Sequence, residues 1–247
     1  MDRLALPGML LGIGLVVLAL VLEGGAVSSL LNGPAAIIVL GGSLAATLVQ
    51  CPWQRLKRWL QMLGWTLVPP RDNAEELVFN LMDWSNRCRQ HGILALEGLS
   101  ERHEDPFVRR GLQMLVDGNE AEHIREVMES QMLLAQDHDY KAADTFQIMG
   151  GYAPTMGILG AVLGLIQAMA QLTDPQALGA GIATAFVATI YGVGFANLVF
   201  LPLAGRLHGL IDHRSRCQEA AIVGLTGIAA GEHPAKLQIK LNAYLVG

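Results

Sequence analysis

Charged residues are absent from two long stretches in the C-terminal half of the chain. Residues 146–173 and 175–205 contain no Asp, Glu, Lys or Arg, and only Asp174 separates them. The hydrocarbon core of a bilayer is about 30 Å thick, and a helix needs about 20 apolar residues to cross it. Each stretch is long enough for one crossing. This excludes an ordinary soluble fold and predicts a tight membrane hairpin with spans at about 147–171 and 178–204.

A second apolar hairpin occupies the N-terminus. Its spans are predicted at about 4–22 and 34–50, and the small-residue linker of residues 23–33 between them is too short to be a domain. The sequence therefore predicts an all-α, polytopic membrane protein with four transmembrane helices. The predicted organisation is an N-terminal hairpin (1–50), a helical cytoplasmic domain (51–145), a C-terminal hairpin (146–205) and a cytoplasmic tail (206–247).

Positive charge is missing from both hairpin turns. All 17 Lys and Arg residues are Arg3, lie between Arg55 and Lys141, or lie between Arg206 and Lys240. Lys and Arg near the ends of membrane spans remain on the cytoplasmic side. We therefore expect both termini and the long middle segment to be cytoplasmic, with two short turns facing outward.

Motifs for enzyme chemistry are also lacking. None of the seven His residues has H-E-x-x-H spacing, and no G-x-x-x-x-G-K-[ST] phosphate loop is present. The three Cys residues are odd in number and fall in predicted cytoplasmic segments, where thiols stay reduced. No basic stripe interleaved with aromatic residues points to nucleic acid. The sequence predicts no enzyme activity, metal site, cofactor, disulfide or nucleic-acid partner.

The middle segment has helical periodicity and capping residues. Asn73 with Glu76 predicts a helix that Gly92 ends, and Asp105 followed by Pro106 predicts another that continues to Val116. A third helix is predicted from Asn119, with Glu122 at the reciprocal capping position. Because no Gly or Pro follows before Gly150, this helix is predicted to continue into the third span. The alternative is a break near residues 137–140.

Glycine is concentrated on the third and fourth spans. Small residues let membrane helices approach closely. The glycines either pack the hairpin against itself or, taken together, favour a ring of identical subunits. They are Gly157, Gly160 and Gly164 on span three and Gly179, Gly181, Gly192 and Gly194 on span four.

Thr189 is the polar residue nearest the middle of the fourth span. With Tyr191 near the midpoint, Thr189 lies about 3 Å outward at 1.5 Å per residue, and Ala161 on span three reaches a similar depth. Thr189 and Ala161 are therefore predicted to face one site. The alternative for Thr189 is a hydrogen bond to a carbonyl one turn earlier. The spans contain no carboxylate, the usual intramembrane ion-binding group, so a partner chain must supply one.

Three motifs resemble a known family. The first is Gly151-Tyr-Ala-Pro154-Thr-Met-Gly157-Ile-Leu-Gly160-Ala-Val-Leu-Gly164-Leu-Ile. The second is Gly181-Ile-Ala-Thr-Ala-Phe-Val-Ala-Thr189-Ile-Tyr191-Gly-Val, followed by Asn197-Leu-Val-Phe-Leu-Pro202-Leu-Ala. The third is Arg89-Gln-His-Gly92-Ile-Leu-Ala-Leu-Glu97. The chain is similar along nearly its whole length to the flagellar motor stator proteins of the MotA/PomA (MotC-like) family, within the MotA/TolQ/ExbB proton channel superfamily.

The resemblance implies a stator subunit that, with a partner, converts ion flow into torque. It implies a homo-pentamer in the bacterial inner membrane around a dimer of MotB/PomB-like, single-span, peptidoglycan-binding partners, with spans three and four lining the inside of the ring. Thr189, Ala161 and Tyr191 would line the ion pathway. Pro154 and Pro202 would couple ion binding to movement, and Arg89 and Glu97 would contact the rotor protein FliG.

The resemblance also bears on ion choice and on alternatives. Sodium-type members tend to carry Thr where Ala161 stands, so protons are the expected ion and sodium is the alternative. An ExbB/TolQ-like energising subunit has three spans with its large loop after the first, whereas this chain has two spans before the loop. A passive membrane scaffold is the remaining alternative, and it would not need paired prolines and a midplane Thr.

Overall fold

The computed structural model describes residues 5–70 and 73–245, and every regular element in those ranges is a helix. The helices group into two compact units. The unit containing the predicted spans, here called the membrane unit, comprises Met1–Val68 and Tyr140–His208. The other, here called the helical unit, comprises Pro69–Asp139 and Gly209–Gly247. The predicted all-α class is confirmed.

Four apolar helical stretches overlap the four predicted spans, and the bounds of the spans stay a prediction. Helix α1 (Ala5–Leu22) matches the first, and Leu4 at its predicted start lies outside the described residues. The second is formed by α2 (Gly33–Ala36), a π-helical turn (Ile37–Gly41) and α3 (Gly42–Gln50). The third and fourth fall within α8 (Ala121–Met169), α9 (Pro175–Phe195), a second π-helical turn (Ala196–Phe200) and α10 (Leu201–Ala229).

The four apolar stretches differ in whether their length and composition are sufficient to cross a membrane. Three are long and apolar enough to cross a membrane, namely Gly33–Gln50 and the apolar parts of Ala121–Met169 and Pro175–Ala229. The first, α1, contains a shorter apolar stretch, Pro7–Leu22. At 1.5 Å per residue it covers about 24 Å, somewhat less than a typical hydrocarbon core.

Side-chain caps begin the second and fourth spans. Asn32 Oδ1 accepts a hydrogen bond from the Ala35 N–H at 3.0 Å. Asp174 Oδ1 accepts from the N–H groups of Gln176 and Ala177, at 2.9 and 3.3 Å. A carboxylate is favoured at this helix end because it satisfies free N–H groups and complements the helix dipole. Asp174, which interrupts the uncharged run, is thus a helix cap.

The helical unit is built around one hydrophobic core. Its helices are α5 (Ala74–His91), α6 (Glu97–Arg102), α7 (Pro106–Val116) and α11 (Pro234–Asn242), together with parts of α8 and α10. Residues 206–247, predicted as a separate tail, contribute much of this core. Completely buried side chains from both parts of the chain include Leu81, Leu112, Ile124, Met128, Leu225 and Leu237.

The predicted caps and the long helix are largely confirmed. Asn73 accepts from the Glu75 N–H at 3.2 Å, and Asp105 accepts from the Phe107 N–H at 2.8 Å. Gly92 ends α5 with a φ of 81°, which glycine adopts without strain. Helix α8 is continuous through residues 137–140, as predicted, and the alternative of a break there is wrong.

Two local details differ from expectation. Helix α8 begins at Ala121 rather than following Asn119, because the Asn119 side-chain amide donates to the Met114 carbonyl at 2.9 Å and closes the preceding helix. A further helix, α4 (Trp53–Leu67), precedes the first helix predicted for the middle segment. This helix belongs to the membrane unit rather than to the middle segment.

Candidate functional site

Glycines allow α8 and α9 to pack backbone against backbone. A Cβ atom added to Gly157 would lie 2.9 Å from the Ala188 carbonyl oxygen and 3.1 Å from the Gly192 Cα. A Cβ atom on Gly164 would lie 2.7 Å from the Ala185 nitrogen and 2.8 Å from the Gly181 carbonyl oxygen. No side chain fits at either position. The glycines at these crossings therefore bring the two spans together within one chain.

This register puts Thr189 and Ala161 at the same level of the hairpin. A Cβ atom on Gly160 would lie 2.7 Å from the Ala188 Cβ, and Ala161 and Thr189 are the next residues along their helices. Thr189 is exposed in the single chain and Ala161 is half-buried. The Thr189 hydroxyl donates to the Ala185 carbonyl at 3.2 Å, one turn earlier. Both residues are thus open to whatever lies beside the hairpin.

Tyr191 contacts the turn between α1 and α2. Its hydroxyl donates to the Leu30 carbonyl and accepts a longer hydrogen bond, at 3.4 Å, from the Asn32 N–H. The Asn32 side-chain amide donates to Thr184 Oγ1 at 2.9 Å. These bonds join α9 to the turn of the N-terminal hairpin. Tyr191 therefore has a structural role in this chain, and its predicted part in the ion pathway stays a prediction.

The two predicted coupling prolines lie at different kinds of helical site. Pro154 is inside α8, where it has no N–H to donate to the carbonyl of Gly150, four residues earlier. Pro202 is the second residue of α10, one residue beyond the π-helical turn Ala196–Phe200. Proline and π-helical turns are the common local causes of bending in a helix. Both spans thus contain a built-in weak point in their backbone hydrogen bonding.

Arg89 and Glu97 lie on either side of the turn at Gly92 in the helical unit. Arg89 is in the last turn of α5 and Glu97 is the first residue of α6. Both side chains are exposed, so they are available to a partner. Neighbouring Cys88 is half-buried, and its burial raises the pKa of the thiol, which keeps it protonated and unreactive at neutral pH.

Charged groups near the end of the chain are paired within the helical unit. Lys240 Nζ donates to Glu232 Oε1 at 2.6 Å, and this hydrogen bond lowers the pKa of the Glu232 carboxyl. Burial and the nearby Glu219 carboxylate raise the pKa of Tyr244. The pKa shifts of Glu232 and Tyr244 are therefore explained by packing around the last helix.

Three contacts were not predicted from the sequence. They are the Asn32–Thr184 bond, a bond from the Tyr152 hydroxyl to Gln50 Oε1 at 3.1 Å, and a bond between His208 and Asp144 at 2.9 Å. In the sequence, the only sign of these contacts is that polar residues occur near the ends of the apolar runs. Within residues 5–70 and 73–245, His, Cys, Asp and Glu side chains form no group of three that could hold a metal ion.

Comparison with known proteins gives consistent results. Residues 99–219 match the model of the MotA/TolQ/ExbB proton channel family. Motility protein A of Bacillus subtilis (strain 168) is 32% identical over 246 residues, which cover 99% of this chain and 91% of that protein. The structure of C. jejuni MotAB aligns with a TM-score of 0.93 and 30% identity, covering 99% of this chain and 96% of that one. The flagellar MotAB stator complex from Bacillus subtilis aligns with a TM-score of 0.89 and 31% identity, covering 98% and 96%.

Proposed function

This chain belongs to the MotA/TolQ/ExbB proton channel family, and from that premise we propose that it is a stator subunit of a bacterial flagellar motor. The observation that carries the proposal is the full-length similarity to MotAB stator structures, with a TM-score of 0.93 over 99% of the chain. The chain is a multi-pass membrane protein. Its function is to help convert ion flow into torque, and no enzymatic step is part of that function.

Full-length similarity also favours this function over the alternatives within the superfamily. The match to Motility protein A includes the N-terminal hairpin, α1 to α3, as well as the segment shared with the wider family. An ExbB/TolQ-like energising subunit is expected to place its large loop after one span. A passive scaffold gives no reason for a continuous α8 that contains Pro154 at mid-helix.

Ion transfer requires a partner chain. The spans hold no carboxylate, and a polar ion site in a bilayer needs an ionisable group. We assign that group to a MotB/PomB-like, single-span, peptidoglycan-binding protein, with five copies of this chain around a dimer of the partner. Thr189 and Ala161 lie at one level of the hairpin, with Thr189 exposed and Ala161 only half-buried. This supports a position facing a central partner helix.

Protons are the proposed ion. The methyl group of Ala161 cannot coordinate sodium. The Thr189 hydroxyl donates its hydrogen to the Ala185 carbonyl and keeps its lone pairs, so it does not decide between the two ions. A sodium ion needs several oxygen ligands, whereas a proton needs only the carboxylate of the partner and a path of hydrogen bonds. Sodium is the alternative that experiment must exclude.

Torque requires movement of the helical segment that contacts the rotor. Pro154 and the π-helical turn before Pro202 are points where α8 and the α9–α10 helix can bend at low cost. Exposed Arg89 and Glu97 are the proposed contacts with the rotor protein FliG. The cytoplasmic position of both termini and of the helical unit, with the spans in the inner membrane, follows from the distribution of Lys and Arg.

The test is deletion of this chain in its own cell. We expect cells that still assemble flagella but do not swim, and plasmid-borne wild-type protein should restore swimming. A charge-reversed protein with Arg89→Glu should accumulate in the membrane and restore swimming only weakly, whereas Arg87→Glu, also exposed on α5, is the matched control. Unaltered swimming after deletion, with no second stator set present, would overturn the proposal.

A further inference from the structure

A histidine–aspartate pair joins α8 and α10 within the membrane unit. The distance between His208 Nε2 and Asp144 Oδ1 is 2.9 Å, and the ring of Tyr140 packs against the imidazole with centroids 5.2 Å apart. The His208 side chain is 30% exposed and that of Asp144 is 41% exposed. Water can therefore reach a pair whose geometry is fixed by two helices and an aromatic ring.

The pair occupies a special position along the two helices. From the level of Ala161 and Thr189 toward the cytoplasmic side, the only ionisable side chain on α8 before Asp144 is Tyr152. On the other helix, Tyr191 and Arg206 precede His208, and neither exchanges protons readily near neutral pH. Asp144 and His208 are thus the first groups on this side that can take up and release a proton under physiological conditions.

Depth estimates agree for the two residues. Asp144 precedes Ala161 by 17 positions and His208 follows Thr189 by 19, which corresponds to about 26 and 28 Å of helix at 1.5 Å per residue. Because Thr189 lies about 3 Å outward of the midplane, the pair lies about 23 to 25 Å from the midplane. Half the thickness of a bilayer with its headgroups is about 20 to 22 Å. The pair therefore falls at the water-facing border of the membrane, where a proton leaving the bilayer first meets bulk water.

We propose that His208, oriented by Asp144, is the proton acceptor at the cytoplasmic end of the ion path. This inference rests on the proposed proton-driven function. An ionised carboxylate only accepts hydrogen bonds, so Nε2 of the neutral imidazole donates to Asp144 and Nδ1 carries the free lone pair. The arriving proton bonds to Nδ1 and gives an imidazolium, which the Asp144 carboxylate stabilises. The Nδ1–H bond then breaks, and the proton passes to cytoplasmic water.

Histidine is suited to this step because its charge changes between about pH 5 and 8. The groups that face it from α8 are Asp144 and Tyr140. On its own helix, Arg206 and Asp212 lie within about one turn. Asp144 is the acidic group that is hydrogen-bonded to the imidazole.

The test measures swimming speed against cytoplasmic pH. A permeant weak acid lowers cytoplasmic pH while external pH is shifted in parallel, so that the pH difference across the membrane stays constant. For wild type we expect speed to fall as cytoplasmic pH drops from about 7.5 to 6, because imidazolium cannot accept a second proton. His208→Gln should lower speed several-fold at neutral pH and remove the steep dependence. His213→Gln, on the same helix, should behave like wild type.

Three outcomes would overturn the inference. They are wild-type speed in His208→Gln, an unchanged shape of the pH curve at lower speed, and an equal effect of His213→Gln. If His208→Gln does not reach the membrane, Asp144→Asn decides, because loss of the carboxylate that orients the imidazole should lower swimming speed at neutral pH, and wild-type speed contradicts the proposal. A wild type insensitive to a protonophore would instead refute the proton-driven function itself.

Discussion

Replacing Gly192 with alanine tests how closely α8 and α9 pack. The added Cβ atom would lie 2.7 Å from the Ala153 carbonyl oxygen, 3.0 Å from the Gly157 Cα and 3.2 Å from the Pro154 Cα. Ordinary contact begins at 3.4 Å, so the shortest approach is too close by about 0.7 Å. All three neighbours are backbone atoms and cannot rotate away. The helices must therefore separate.

The size of the effect follows from two opposing contributions. Overpacking of this kind costs about 1–3 kcal/mol, whereas alanine in a helix is favoured over glycine by about 0.5–1 kcal/mol. At Gly194, on the same helix, an added Cβ atom meets nothing within 4 Å, so only the favourable contribution remains. The difference in unfolding free energy between Gly192→Ala and Gly194→Ala should therefore be about 1–3 kcal/mol.

The assay is reversible unfolding of the purified protein in mixed detergent micelles, with helicity recorded by circular dichroism. Gly192→Ala should unfold at a lower fraction of denaturing detergent than wild type, and Gly194→Ala at the same or a higher fraction. Equal stability of the two variants would refute the argument that backbone contact at this crossing determines the stability of the hairpin.

Three further predictions concern the coupling proline, the turn contact and the last helix. Pro154→Leu should leave the amount of protein in the membrane unchanged on immunoblots but abolish swimming. The control is Pro175→Ala, in the first turn of a helix where the N–H is unpaired anyway, and cells with this variant should swim normally. Normal swimming of Pro154→Leu cells would contradict the coupling argument. Tyr191→Phe loses the bond to the N-terminal turn and should lower the unfolding free energy in detergent by about 0.6 kcal/mol; an unchanged value would remove its structural role. Because Lys240 lowers the pKa of Glu232, their bond stabilises the folded state above the ordinary glutamate pKa, and this contribution is lost as pH falls through the lowered value. Lys240→Met should therefore lower the melting temperature at pH 7, and the decrease should shrink as the protein is acidified. A decrease that does not depend on pH would contradict the pairing.

The general architecture could be predicted from the sequence because charge and capping are local signals. The uncharged runs around Asp174 are long enough only for membrane spans. Asp105 and Asn73 start helices where their side chains accept backbone N–H bonds. The absence of Gly and Pro between residues 121 and 149 correctly predicted a continuous α8. Each of these features depends on residues within a few turns of one another.

Contacts between distant segments could not be predicted in this way. Residues 206–247 contain many charged residues and suggested a tail, yet Leu225 and Leu237 are completely buried in the helical unit. The bond of Tyr191 to the Leu30 carbonyl depends on how two hairpins pack, and no periodicity encodes it. The pairing of His208 with Asp144 likewise depends on how α8 and α10 pack side by side. These two residues are far apart in the sequence, so no local pattern reveals their contact.

Dependence of motility on a specific ion gradient tests the central claim most directly. Swimming speed of cells that express this chain with its cognate partner would be recorded after sodium removal and, separately, after addition of a protonophore. A proton-driven stator predicts unchanged speed without sodium and loss of swimming with the protonophore. Loss of swimming on sodium removal would contradict the assignment of protons and the argument from Ala161. Speed that responds to neither treatment would contradict the stator function as a whole.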